Sequence, residues 1–157
     1  MAITKLIADS ITSGAIGNTP SFFAYMSGNQ SISNAATLVQ FNTELYDTDG
    51  CYDTSTYKFT PTSAGKYLIN FLIHDDSASG TSQNLWLYKN GSVHTFRYTG
   101  ASGSSAFTGS TQLTTVVDMN GSSDYVQAYY KQNNASTTIV AGSGQYDSLF
   151  TGVKIIT

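Results

Sequence analysis

Ten short stretches of this chain are rich in apolar residues, and several of them alternate hydrophobic and polar positions with the two-residue period that half-buried β-strands require. Clusters of Gly, Ser, Asn, Asp and Thr separate the stretches, which is typical of turns between antiparallel strands. The pattern therefore predicts an all-β sandwich. The predicted strands are 22–27, 37–46, 57–60, 66–74, 84–89, 92–98, 110–119, 125–132, 137–141 and 148–156.

Two connections between these strands are predicted in more detail. Pro61 ends the strand before it, because proline has no N–H to donate to a neighbouring strand. Gly65 supplies a permissive backbone for the return into the next strand. Asn90-Gly91 separates two alternating stretches and is typical of a two-residue hairpin turn.

The predicted strand 66–74 is unusual because it carries apolar residues on both faces. A strand of an antiparallel sandwich needs only one apolar face. The second face therefore predicts contact with another surface, and a second copy of the chain is the simplest candidate. The alternative is that the N-terminal segment of the same chain covers Leu68 and Leu72. One face holds Tyr67, Ile69, Phe71 and Ile73; the other holds Leu68, Asn70, Leu72 and His74.

Composition excludes several classes of protein. At 157 residues the chain is long enough for one domain with a real core, and charged residues make up only 11% against roughly a quarter in an average domain. The net charge is −3, and the 7 Lys and Arg form no cluster, so we expect neither nucleic-acid binding nor a membrane anchor. The single cysteine, Cys51, excludes an internal disulfide framework and is interpreted as a small residue in a turn.

Residues 1–20 differ from the rest and are interpreted as an N-terminal attachment arm preceding a domain at 21–157. Glycines and a proline prevent a long helix there, so we expect an extended arm that docks on another surface. The segment has no uninterrupted apolar run typical of a signal peptide. Synthesis in a host cytoplasm is therefore expected. The apolar residues assigned to docking are Ile3, Leu6, Ile7 and Ile11.

Six short motifs, in order and at the right spacing, resemble the C1q-like globular head of the C1q/tumour necrosis factor superfamily. Two departures are present: Tyr57 stands where that family usually has Gly, and residues 118–124 lack its Gly-Asp pair. The motifs are Phe22, Phe23 and Ala24; Phe41; Gly50, Tyr52 and Asp53; Phe59 to Pro61 with Gly65 and Tyr67; Leu87 to Gly91; and Ser148, Phe150 and Gly152.

The resemblance implies a ten-stranded antiparallel jelly-roll sandwich of the C1q/TNF type that assembles as a tight homotrimer. One sheet of each sandwich would pack around the threefold axis, and it would include the first strand, 66–74, 110–119 and 148–156. The intersubunit face is then expected to hold Leu68, Asn70, Leu72, His74 and Phe150.

Acidic residues offer candidates for a metal site. Three aspartates in the segment 47–53 look like half of a calcium loop, but the bidentate Glu of a full loop is missing. The alternative is an Asx-rich turn whose side chains bond the local backbone. Calcium is the only cofactor considered, and no metal site is assigned. The candidates are Asp47, Asp49 and Asp53, with Asp75 and Asp76 as a second acidic spot.

No catalytic residue is predicted. The two histidines, His74 and His94, lie on predicted strands outside any recognisable triad, and no pair of carboxylates stands out. Aromatic side chains instead favour recognition of a carbohydrate or a protein, with core packing as the alternative. In the segment 84–89, either the two leucines or the two aromatic residues face outward. The candidate ligand surface is Trp86, Tyr88, Tyr98 and Tyr129.

These observations lead to one main functional hypothesis. It is a non-enzymatic structural protein of a bacteriophage, a trimeric knob on the virion surface that decorates the capsid or head. Its arm would bind other virion proteins, and its outer surface would contact host surface glycans. One alternative is a receptor- or carbohydrate-binding tip of a tail fibre, or another secreted C1q-like binding module. The other is a depolymerase of a surface polysaccharide.

Overall fold

Thirteen β-strands form the computed structural model, which describes residues 19–75, 82–100, 109–133, 136–141 and 146–156. Residues 1–18 of the arm, including its docking residues, and Asp76 lie outside the described residues. In chain order the strands are β1 Ser21–Tyr25, β2 Gln30–Ser33, β3 Thr37–Leu38, β4 Thr43–Asp47, β5 Tyr52–Asp53, β6 Lys58–Phe59, β7 Ala64–Asp75, β8 Ser82–Lys89, β9 Ser92–Gly100, β10 Gly109–Asn120, β11 Val126–Gln132, β12 Ser136–Ile139 and β13 Leu149–Ile156.

The strands pair into two antiparallel sheets. The first sheet has the order β2-β12-β7-β13-β1-β4, with β10 also paired along the full length of β7. The second sheet has the order β5-β6-β11-β8-β9, with β3 added beside β11. The first sheet therefore contains all four strands that the resemblance assigns to the inner sheet of a trimer.

The jelly-roll class is confirmed, but the number of strands is higher than the ten expected. The predicted strand 37–46 is two strands, because the chain crosses from the second sheet to the first between β3 and β4. Val39 and Phe41 are fully buried at this crossing. Two short strands, β2 and β5, were not predicted, since each is too short and too polar to show a period.

Aromatic rings from both sheets fill the core between them. The ring of Phe22 stacks on those of Phe59 and Tyr52, with centroids 4.4 and 4.8 Å away, and meets Phe150 edge-on at 5.0 Å. Such pairs contribute about 0.5–1.5 kcal/mol each beyond the burial of their area. Phe150 is fully buried in this cluster. Its expected place on the intersubunit face is therefore wrong, because it faces the core while its neighbours in β13 face outward.

At two turns, the backbone geometry explains which residues occur there. Asn90 and Gly91 have φ of +51° and +78°, as the predicted hairpin turn requires. Tyr57 has φ of +58°, a left-handed conformation that glycine adopts without cost. The departure at Tyr57 therefore keeps the conformation that the resemblance associates with Gly, at the expense of some backbone strain.

Close packing makes a glycine necessary at one position in the first sheet. A Cβ atom on Gly152 would lie 2.6 Å from the ring of Phe22 and 2.8 Å from the side chain of Ile69. The motif glycine in β13 therefore allows the core rings to approach the sheet.

Candidate functional site

Aliphatic side chains cover much of the outward face of the first sheet. Leu68 of β7 lies between Val116 of β10 and Val153 of β13, in register across three strands. Leu68 is 37% exposed and Val116 is 46% exposed. Leu72 and Leu149 form a second such pair further along the strands. We call Leu68, Leu72, Val116, Leu149, Val153 and Ile155 the aliphatic face.

A hydrogen-bonded polar cluster lies within the aliphatic face. The Asn70 side-chain oxygen accepts hydrogen bonds from the Thr114 hydroxyl, at 2.8 Å, and from the Gln112 side-chain amide. Nearer the end of β7, His74 Nδ1 lies 3.0 Å from the Ser110 hydroxyl oxygen. Leu68, Asn70, Leu72 and His74 thus share one outward face, as predicted, and only Phe150 is excluded from it.

Aromatic residues flank the aliphatic face, and sequence reasoning missed them. The ring of Tyr146 lies 4.7 Å from that of Tyr25 and 5.2 Å from that of Phe23. Tyr46 of β4 is 6.4 Å from Phe23. The alternation of β1 could have placed Phe23 and Tyr25 on the outward face, because they flank the core residue Ala24. Leu68 and Leu72 likewise flank core residues of β7.

The second sheet presents a different outward face. Phe96 of β9, Trp86 of β8 and Tyr129 of β11 are in register across three neighbouring strands. Tyr88 packs on Tyr129 with ring centroids 4.2 Å apart. Partial burial is the main cause that raises the pKa of Tyr129, with Tyr88 as a lesser one. We call Trp86, Tyr88, Phe96, Tyr98 and Tyr129 the aromatic face.

All four predicted ligand-surface residues therefore lie together on one face. Trp86, Tyr88 and Tyr129 are half-buried, whereas Phe96 and Tyr98 are 59% and 62% exposed. Leu85 and Leu87 are fully buried, which resolves the alternation in β8 in favour of outward aromatic residues. Tyr130, the neighbour of Tyr129, belongs to the core.

The three strands that carry the aromatic face contribute basic side chains but no acidic ones. Lys131, Asn84 and Tyr98 form a second cross-strand row beside the aromatic residues. Strands β8, β9 and β11 contain no Asp or Glu at all. Among the described residues no carboxylate forms an ion pair with Lys131.

The candidate metal ligands have other contacts. Asp47 accepts a hydrogen bond from the Tyr52 backbone at 2.7 Å, and Asp53 accepts bonds from Ser55 and Thr56. These hydrogen bonds hold the pKa of Asp53 well below its usual range. Asp75 is buried and accepts a bond from the Tyr130 hydroxyl at 2.5 Å. Within the described residues, no three His, Cys, Asp or Glu side chains come together to hold a metal ion.

Among the described residues, neither the cysteine nor the open cleft presents a complete catalytic triad, although Ser110 of the cleft contacts His74 at 3.0 Å. Cys51 is buried, and this burial raises the pKa of its thiol, which disfavours the nucleophilic thiolate. A cleft of about 460 Å³ opens between β9 and β10. Its lining is made of one guanidinium, hydroxyls and an amide: Arg97, Thr99, Ser110, Thr111, Gln112 and Thr114.

Comparison with known proteins identifies the family. The family model of the C1q domain matches residues 21–155. The chain belongs to the C1q domain family. This C1q domain matches no curated protein sequence. In the part of the chain that the structure describes, no helix is long and apolar enough to span a membrane.

Solved structures similar to this C1q domain share its fold at low identity. The globular domain of zebrafish complement 1qA is 17% identical with a TM-score of 0.59, and the match covers 87% of this chain and 97% of that one. The PRD1 vertex protein P5 is 15% identical with a TM-score of 0.65, over 87% and 97%. The Eiger TNF from S. frugiperda is 11% identical with a TM-score of 0.57, over 87% and 90%.

Proposed function

We propose that this C1q domain is a non-enzymatic structural protein of a bacteriophage, a homotrimeric knob displayed on the virion surface. The knob decorates the capsid or head, and its N-terminal arm, residues 1–20, attaches it to other virion proteins. The observation that carries the proposal is the aliphatic face, which leaves Leu68 partly exposed between two paired strands and Val116 partly exposed beside it on β10.

Burial of the aliphatic face favours association between copies. Complete burial of a Leu or Val side chain is worth roughly 1.5–3 kcal/mol. Each of the six residues is less than half exposed, so each gains less than half of that, and the sum over six residues on every copy still favours association. In the polar cluster, the Asn70 side-chain oxygen is already paired with Thr114 and Gln112, which lowers the cost of burying that oxygen in an interface.

Three observations support a trimer and a structural role on a virion. The resemblance to C1q-like heads implies a threefold assembly through this sheet. His74 lies 3.0 Å from the Ser110 hydroxyl, but within the described residues no carboxylate bonds to this pair to complete a triad, which favours a structural role over a reaction. A similar fold occurs in the PRD1 vertex protein P5, which is named for a vertex.

The mass of the purified protein in solution tests the assembly. Light scattering coupled to gel filtration should give three times the chain mass of 16.8 kDa. Leu68→Asp should yield monomers, because an unpaired carboxylate would be buried in the interface. Val93→Asp is the matched control, since Val93 is 52% exposed on the second sheet, and it should remain trimeric. A monomeric wild-type protein at micromolar concentration would end the proposal.

The role of the arm has a separate test. Deletion of residues 1–20 should leave the trimer intact and abolish incorporation into particles. If truncated protein is still incorporated, attachment does not depend on Ile3, Leu6, Ile7 and Ile11. Incubation of the intact trimer with host polysaccharide should release no oligosaccharide, whereas a depolymerase would release it steadily.

A second candidate function is favoured by the aromatic face. The domain would then be a receptor- or carbohydrate-binding tip of a tail fibre, or another secreted binding module of the C1q type. Electron microscopy of particles labelled with antibody against the domain separates the two functions. Label on the capsid supports the decoration role, and label at a fibre end supports the tip.

A further inference from the structure

The aromatic face has a regular geometry. Phe96, Trp86 and Tyr129 lie on adjacent strands in register. Neighbouring strands are about 4.8 Å apart, so the three side chains form a row roughly 10 Å long. This length suits two linked pyranose rings, whose C–H faces pack on aromatic rings. The packing of Tyr88 on Tyr129 holds one side of the row in place.

A second row supplies polar groups at a suitable distance. Lys131, Asn84 and Tyr98 are in register with one another, two residues along the strands from the aromatic row. Two residues of an extended strand correspond to about 7 Å. A ligand lying on the aromatic row can therefore reach an ammonium, an amide and a phenol with its substituents.

The charge at this site selects the kind of sugar. Lys131 has no ion-pair partner among the described residues, and β8, β9 and β11 carry no acid. The whole chain has a net charge of −3, so a basic, acid-free face on it is a local exception. A carboxylate on the ligand would complement Lys131.

We propose that the aromatic face is a binding site for an acidic glycan, with pyranose rings packed on Trp86 and Tyr129 and a sugar carboxylate paired with Lys131. The inference names a ligand class for the carbohydrate binding of the second candidate function, and it rests on the proposed display of the domain at a virion surface. It does not depend on the number of subunits, because the aliphatic face lies on the other sheet.

Intrinsic fluorescence gives a direct readout, since Trp86 is the single tryptophan of the chain. Full-length protein is titrated with trigalacturonic acid and with a trimer of α2,8-linked sialic acid, and maltotriose serves as the neutral probe. At least one acidic probe should change the emission with millimolar or tighter affinity, and binding should weaken as salt is added. Maltotriose should bind at least tenfold more weakly.

Variants followed by calorimetry assign the residues. Lys131→Met should weaken the acidic sugar at least tenfold, and Lys131→Arg should restore most of the binding. Lys58→Met is the matched control, because Lys58 lies near Val126 at the opposite end of β11 and contacts the Tyr125 ring. Trp86→Phe and Tyr129→Ala should each weaken binding, and thermal melts with a mass measurement identify any variant that fails to fold.

The possible outcomes are distinct. Failure of both acidic probes to bind a correctly assembled trimer overturns the inference and leaves the trimeric knob untouched. Equal binding of acidic and neutral probes, unchanged in Lys131→Met, also overturns it. So does binding that Trp86→Phe and Tyr129→Ala both leave unchanged. If the protein is a monomer and still binds the acidic probe, the inference stands and the proposed trimer is wrong.

Discussion

The two outward faces of this sandwich differ in the chemistry of their exposed groups. The aliphatic face on the first sheet carries branched hydrocarbon side chains such as Leu68 and Val116, around a polar cluster that is already hydrogen-bonded. The aromatic face on the second sheet carries flat rings with polar edges, beside Lys131. Hydrocarbon branches interdigitate well with a protein surface, and flat amphipathic rings suit an amphipathic ligand. Exposed apolar area alone therefore does not identify the kind of partner that a surface binds.

The largest expected effect comes from placing one acid on each face in turn. Val116→Asp should convert the trimer to monomers, because its carboxylate would be buried opposite Leu68 without a partner. Tyr98→Asp should keep the trimer but abolish binding of the acidic glycan, since it adds a negative charge to the row of Lys131. Mass and fluorescence titration are measured on both proteins.

Each variant of that pair is the control for the other. If Val116→Asp stays trimeric, subunits do not meet through the aliphatic face. If Tyr98→Asp binds the acidic sugar as well as the wild type does, Lys131 is not the carboxylate partner. Either result would contradict the assignment of different partners to the two faces.

A change in the shared core should affect both faces together. Gly152→Ala places a methyl group 2.6 Å from the ring of Phe22, and the crowding should lower the free energy of unfolding by about 1–3 kcal/mol. Urea denaturation measures the loss. Gly28→Ala is the matched control, because no atom lies within 4 Å of the added methyl, and it should change little.

A smaller effect is expected at a turn that belongs to neither face. Tyr57→Gly relieves the left-handed backbone at φ +58° and should change the free energy of unfolding by about 1 kcal/mol or less, toward greater stability. Asn90→Gly, at φ +51°, should instead lose stability, because it removes the side-chain hydrogen bonds to Asp124 and from the Tyr125 N–H. Mass and glycan binding should stay as in the wild type. Destabilisation by Tyr57→Gly would mean that the Tyr57 side chain outweighs the strain.

The smallest effect is a dependence on pH from Asp53. The pKa of Asp53 is lowered in the folded state by hydrogen bonds from Ser55 and Thr56. The folded protein therefore keeps the carboxylate ionised down to a lower pH than the unfolded chain does. The resulting stability is present above the ordinary Asp pKa and is lost as pH falls from there toward the lowered value. Asp53→Asn should therefore flatten this acid limb of the unfolding curve, measured by urea titration at pH 6 and pH 3.

Sequence patterns predicted the long strands and the faces they present, because a two-residue period survives in strands such as β7 and β8. They missed β2 and β5, which are too short to show it. The crossing at Val39 and Phe41 was hidden because both residues are apolar and look like the continuation of one strand. Phe150 was misplaced, because its direction depends on the register between β13 and β7, which no local pattern fixes.

The candidate site was predictable in part for the same reason. Alternation in β8 placed Trp86 and Tyr88 together, but the row also needs Phe96 and Tyr129 from other strands. Their alignment follows from a bulge between Leu87 and Tyr88 and from pairing with β11, which are properties of the sheet as a whole. Asp47 and Asp53 likewise needed the structure, since only their hydrogen bonds assign them to turns.

The back-to-back placement of the two faces has a consequence for adhesion. In the proposed trimer, closure through the first sheet would repeat the second sheet three times around the circumference, and many such trimers would share one particle. Simultaneous engagement can raise the overall strength of attachment by roughly 10²–10⁴ over a single contact. Contacts that are individually weak would then hold a particle firmly on a polysaccharide coat and still let it roll along that coat.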